Sequence, residues 1–218
     1  MKYFLAILGL ALTLVAPGLA APVSRDLGQG LLYHRVHQLP GDLATDENER
    51  RHPCVLDLRY VGGDADSATA LAAWLKFHAT ARAPVFVLAN ADTGSGIRTV
   101  LASRTPGTSI ILVGAATTDF KPDIALKISP EAERRAYDAF EHGAAADSLI
   151  TENPDKPRND EAKLAKDRQP EFPAGPGEDL AASSTDTVAP PKSPPPLMDA
   201  VLQRAVQLHR ALLALKKL

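Results

Sequence analysis

The chain has 218 residues, 24 Lys and Arg against 26 Asp and Glu, and a formal net charge of -2. That balance excludes a nucleic-acid binder that works by neutralising phosphates with a basic face, and no basic run or patch stands out along the sequence. The single cysteine, Cys54, excludes an internal disulfide and a cysteine-based zinc site. Eighteen prolines outnumber 14 glycines, and most of them fall after Ser129, so globular material is concentrated in the first two thirds.

Residues 1–20 read as an export signal. Lys2 precedes the uncharged run Phe4 to Val15, which is too short to cross a bilayer comfortably. Pro17 breaks that run, and Gly18-Leu19-Ala20 places small residues for cleavage after Ala20 or Ala21. The mature chain is therefore expected outside the cytoplasm, periplasmic in a Gram-negative source or secreted, with no stable membrane insertion after cleavage.

From Gly30 onwards the pattern alternates. Gly30 to His37 reads as a strand closed by Leu39-Pro40-Gly41-Asp42, and Cys54 to Val61 as a second strand stopped by Gly62-Gly63. Asp64 or Asp66 can cap the helix that follows, with Leu71, Trp74, Leu75 and His78 on one face. Pro84 to Ala89 and Ser109 to Val113 are near-continuous apolar runs, as parallel strands covered on both sides require. Between them Thr93-Gly94-Ser95-Gly96 opens a helix marked by Ile97, Val100 and Leu101. A short edge strand over 124–128 and a helix from Pro130 to His142 follow, with Pro at the first helical position. The order is that of βαβ crossovers, hence an α/β layer fold with largely parallel strands. An α/β domain over 26–142 would thus be followed by a Pro-rich, largely disordered linker over 143–196, with a short helix within 160–167 as its only structure. An amphipathic helix over 197–218 closes the chain, its stripe Leu197, Val201, Ala205, Leu208, Leu212 and Leu215 either docking back on the domain or meeting a partner or a second copy.

In a parallel sheet ligands gather where strands end and helices begin, which selects the loops 60–64 and 90–96. The backbone of Gly62 and Gly63 could donate to an oxyanion. Ser95, between two glycines at a helix start, suits either a nucleophile activated by the positive helix end or an N-cap. His34 and His37 cannot easily share a metal from one strand, and the remaining histidines are scattered. Asp57 is better suited to pairing with Arg59 than to acid catalysis. The glycines of 93–96 lack the spacing and the lysine of a phosphate loop, so neither a cofactor nor a metal is expected.

These residues carry a resemblance. Leu56-Asp57-Leu58-Arg59 with Gly62-Gly63, then Val85 to Asn90 leading into Thr93-Gly94-Ser95-Gly96, then Val113-Gly114 and Pro122-Asp123-Ile124, resemble the core of the tail-specific (C-terminal processing) serine peptidases of Clp/crotonase-like fold. The closing helix with Leu202, Ala205 and Leu208 resembles theirs too. The resemblance implies Ser95 as nucleophile, Lys121 as general base, Gly62 and Gly63 as the oxyanion hole, and a peptide or protein as substrate. Ile97 and Arg98 stand where that family has Ser-Glu, and no PDZ-type domain is present. Lys121 is either the base or what remains after loss of the hairpin that carries it. Serine-dependent peptide-bond hydrolysis in the cell envelope and a catalytically degenerate scaffold or partner-binding module both follow.

Overall fold

Six strands form one sheet among the described residues, which are 23–105, 109–150 and 197–218 of a computed structural model. They are β1 (Val23–Asp26), β2 (Leu32–Arg35), β3 (Cys54–Asp57), β4 (Val85–Leu88), β5 (Ile110–Ala115) and β6 (Ile124–Leu126), in that spatial order. All neighbours pair in parallel except β1 with β2, so the expected α/β class with a largely parallel sheet is observed. Both β3 and β4 are buried at every position, which is why their sequences are apolar runs rather than alternating patterns. The antiparallel β1 begins three residues before the expected domain start at Asp26. Its sequence, Val-Ser-Arg-Asp, has no apolar alternation because it is an exposed edge held by main-chain pairing.

Register separates the two faces. The row His34, Leu56, Val87 and Leu112 runs across one side, and the row Tyr33, Val55, Phe86 and Ile111 across the other. The first side is covered by helices α1 (Ala65–His78) and α2 (Ser95–Ser103), whose Leu71, Trp74, Leu75, Ile97 and Leu101 join Leu56, Val87 and Leu112 in one core cluster. Asp64 is the cap of α1, its carboxylate accepting from Ser67 N at 2.8 Å. Trp74 donates its indole N–H to Ala44 O at 2.7 Å, which ties the long β2–β3 connection to α1. That connection holds only a 3-10 turn, Glu49–Arg51, so helices serve just two of the crossovers.

The chain divides into two compact units, one of the residues up to Lys127 together with 204–218 and the other of 128–203. The second unit holds α3 (Pro130–Glu141), α4 (Ala146–Leu149) and the start of α5 (Ala200–Ala214). Ser129 caps α3 by accepting from Ala132 N at 3.2 Å, with Pro130 at the first helical position. Within the segment expected as linker from 143, this unit holds α4, which buries Leu149, and Asp199 N donates to Leu149 O at 3.0 Å. In the first unit, His209 of α5 meets Phe86 edge-to-face at 6.4 Å between centroids. The buried positions of α5 are Val201, Leu202, Gln203, Ala205, Val206 and His209, whereas Leu197 and Leu215 are exposed. Val201 and Ala205 of the expected stripe are buried and Leu208 and Leu212 half-buried, while Leu202, Val206 and His209 widen the buried face beyond it. The expected leader 1–20, the Pro-rich segment 151–196 and the helix within 160–167 lie outside the described residues. No described helix is long and apolar enough to cross a membrane.

Candidate functional site

Two loops leave the carboxyl ends of β3 and β4 and are stitched together by side chains. Asn90 Oδ1 accepts from Asp92 N and Thr93 N, both at 3.1 Å. Thr93 Oγ1 donates to Leu58 O at 3.0 Å while accepting from Asn90 N at 3.1 Å. Gly94 N then donates to Val61 O at 2.8 Å. The loops touch at their glycines: a Cβ on Gly94 would lie 3.0 Å from Gly63 N, and one on Gly63 2.9 Å from Ile97 Cδ1. The backbone contact at Gly94 makes the absence of a Cβ matter most there, whereas at Gly63 the Ile97 side chain would have to shift; neither position has a left-handed backbone. The left-handed residue is Tyr60, at φ 63°, where the chain leaves the strand direction and turns into Val61-Gly62-Gly63. A non-glycine residue held there costs on the order of 1 kcal/mol, a strain of the kind that accumulates beside binding sites.

Ser95 is the first residue of α2 and is exposed, but it does not cap the helix. The N-cap is Gly94, with no side-chain capping hydrogen bond. The capping role expected as one option for Ser95 is therefore corrected. Thr93, anchored on Leu58 O, takes the local hydrogen-bonding duty that a Ser or Thr was expected to have. The Ser95 hydroxyl has no partner among the described residues, and neither have the amides of Gly62 and Gly63. Three expected site residues thus converge: Gly62 and Gly63 adjoin the start of α2, whose positive dipole end favours a carbonyl oxygen or an anion. Lys121 does not join them by any hydrogen bond. It is exposed in the loop after β5 and has no hydrogen-bond or ionic partner among the described residues. Arg98, one turn into α2, is turned onto Ala91 O at 2.8 Å.

Beneath the β3 end lies a buried polar cluster. Arg59 donates from Nη2 to Asp57 Oδ2 at 2.6 Å and from Nε to Oδ1 at 2.9 Å, the bidentate geometry of a guanidinium on a carboxylate. Tyr33 donates its hydroxyl to the same Oδ2 at 2.8 Å. Burial alone would raise the Asp57 carboxyl, but the Arg59 charge and the hydrogen bonds from Arg59 and Tyr33 hold it below the usual carboxylate range. The Tyr33 hydroxyl is pushed well up, mainly by burial and next by the Asp57 charge, so it stays a donor. Asp57 is thus a structural anion that fixes the turn into Tyr60 to Gly63, in line with the expected pairing to Arg59. Cys54 is no nucleophile either: burial, with a smaller push from Glu49, raises its thiol to about 12.

The histidines are dispersed. His34 Nε2 lies 3.9 Å from Glu49 Oε2 and His37 Nδ1 the same distance from Asp42 Oδ2, and no group of metal-ligating side chains occurs among the described residues. His34, His78 and His209 all have pKa values lowered from 6.5, chiefly by burial. In each, the unfolded chain binds a proton more readily than the folded one. Stability is therefore complete above 6.5 and is lost as pH falls through that value towards the depressed ones. Urea titrations between pH 7.5 and about 5 should show a falling unfolding free energy, and the slope should flatten in His34→Gln/His78→Gln; an unchanged slope would refute the assignment. No family model matches the chain, and no curated protein matches it.

Proposed function

We propose that this chain is a divergent, exported tail-specific-peptidase-like domain of Clp/crotonase type that binds an extended peptide at the 62–63/95 edge without hydrolysing it. The observation that carries this is that Gly62, Gly63 and Ser95 are gathered with unpartnered polar groups, while Lys121 makes no hydrogen bond to Ser95. Amides left open beside a helix start can accept a peptide carbonyl. A serine hydroxyl without a base in hydrogen-bond reach is not activated for attack. A second reading, serine-dependent hydrolysis, is favoured by one specific fact: Ser95 has no capping duty in α2 and is exposed.

Titrating the ¹⁵N-labelled protein with an unfolded peptide separates these readings. The Gly62 and Gly63 amide resonances should shift saturably, and mass spectrometry should find no Ser95-dependent fragments. Unmoved resonances would overturn peptide binding. Fragments that vanish in Ser95→Ala would replace the first reading with the second.

A further inference from the structure

The amino ends of β3 and β4 carry a feature that the 62–63/95 loops at their carboxyl ends do not use. The 3-10 turn Glu49–Arg51 leads into β3, and the loop after α1, with Thr80, Arg82 and Ala83, leads into β4. These two entries to parallel neighbouring strands border a cleft of about 350 Å³ lined by Glu47, Arg50, Arg51, Thr80, Arg82 and Ala83. Three arginines and one glutamate share it, on a chain whose net charge is -2.

None of the three arginines forms an ion pair with Glu47 or any other of the described residues. Arg51 and Arg82 are exposed and have no hydrogen-bond or ionic partner among the described residues. Arg50 is held in place: its guanidinium stacks 3.7 Å from the Phe77 ring centroid and its Nε donates to Phe77 O at 3.1 Å. That leaves its terminal nitrogens without a partner among the described residues. Thr80 Oγ1 accepts from Ala83 N at 3.0 Å, so its proton is available to an acceptor. Glu47 offsets one of the three guanidiniums and leaves the lining net positive, which favours a further anion, and one pre-fixed guanidinium reduces the ordering cost of binding. Exposed charges attract anions more strongly at low salt than at high salt.

We infer that this cleft binds a multiply charged oxyanion, a phosphate or clustered carboxylates, with Arg51 and Arg82 closing on it over the fixed Arg50. The ligand class follows from the donors: guanidiniums grip planar or tetrahedral oxyanions bidentately, and the hydroxyl adds one more donor. The site is separate from the proposed peptide edge, because one set of loops precedes β3 and β4 and the other follows them.

The probes are inorganic pyrophosphate and citrate, titrated into the purified protein by calorimetry in low-salt buffer. The expected result is saturable one-to-one binding of at least one of them, weakened at least ten-fold in Arg51→Ala/Arg82→Ala and by added NaCl, and unchanged in the exposed control Arg135→Ala. Pyrophosphate alone would identify a phosphate ligand, and citrate alone a carboxylate one. Absence of saturable binding of both at millimolar concentration would overturn the proposal, as would equal binding by the double variant. Both arginines are exposed, and matching thermal unfolding of the ligand-free variant and parent verifies that a lost signal reflects the site.

Discussion

Arg59→Ala should cost about 3–5 kcal/mol of folding stability, because it leaves the carboxylate of Asp57 buried and unpaired. Asp57 is fully buried and Arg59 only 1% exposed, so the carboxylate would keep the Tyr33 hydrogen bond but lose its counterion in a desolvated site. Asp57 should then relieve the cost by taking up a proton, which supplies a second readout. With its pKa held down in the parent, the contribution of Asp57 is present above the usual carboxylate value and is lost as pH falls through the folded one. In Arg59→Ala the sign should reverse: burial then holds the Asp57 carboxyl above its unfolded value, so the deficit relative to the parent should shrink as pH falls through that raised value. Removing both charges, as in Asp57→Leu/Arg59→Met, should be far milder than either single change, since an apolar pair has nothing left to desolvate. A double variant as unstable as Arg59→Ala would show that the stabilisation comes from packing of the arginine stem and not from the ion pair.

Gly114→Ala is expected to be comparably severe, at about 3 kcal/mol. A Cβ at Gly114 would fall on the carbonyl oxygen of Ala89, well inside van der Waals contact, and 3.2 Å from Phe120 Cε1. Neither neighbour can withdraw easily. Ala89 belongs to the backbone at the end of β4, where its N–H donates to Val113 O at 3.3 Å, and Phe120 is buried in the α1/α2 core. Gly62→Ala is the matched control, because a Cβ there meets nothing within 4 Å. Equilibrium unfolding of the two variants should differ by most of the Gly114 cost, and equal stabilities would mean that β5 shifts to absorb the methyl.

Which parts of this molecule could be read from its sequence follows from how local the signals are. The helix over Ala65–His78 was legible because an aspartate cap and a four-residue apolar face lie within one contiguous stretch. The central strands were legible because burial on both faces makes their composition continuous. The edge strand β1 was not, since main-chain pairing with β2 needs no side-chain pattern. In α5 the periodicity found Val201 and Ala205, but the burial of Leu202, Val206 and His209 and the exposure of Leu197 and Leu215 follow only from packing. At the site, the glycines and Ser95 were found as strand-end residues, but the division of labour between Thr93 and Ser95 depends on a hydrogen bond to Leu58, far away in sequence. The arginine cleft escaped for the same reason, because Arg82 meets Arg50 and Arg51 only through the parallel pairing of β3 and β4.

The central claim is that Ser95 stands in an oxyanion-type site yet is not activated, and the most direct measurement is the intact mass of the purified protein after exposure to a fluorophosphonate. Such a reagent phosphonylates a serine, its oxygen bonding to phosphorus as fluoride leaves and the hydroxyl proton passes to a base, efficiently only where a base assists and donors stabilise the charge on the phosphoryl oxygen. The account predicts no adduct on Ser95 after prolonged incubation at neutral or mildly alkaline pH, with the same mass in parent and Ser95→Ala. A stoichiometric adduct in the parent that disappears in Ser95→Ala, and slows in Lys121→Ala, would contradict it and establish a working serine–lysine pair.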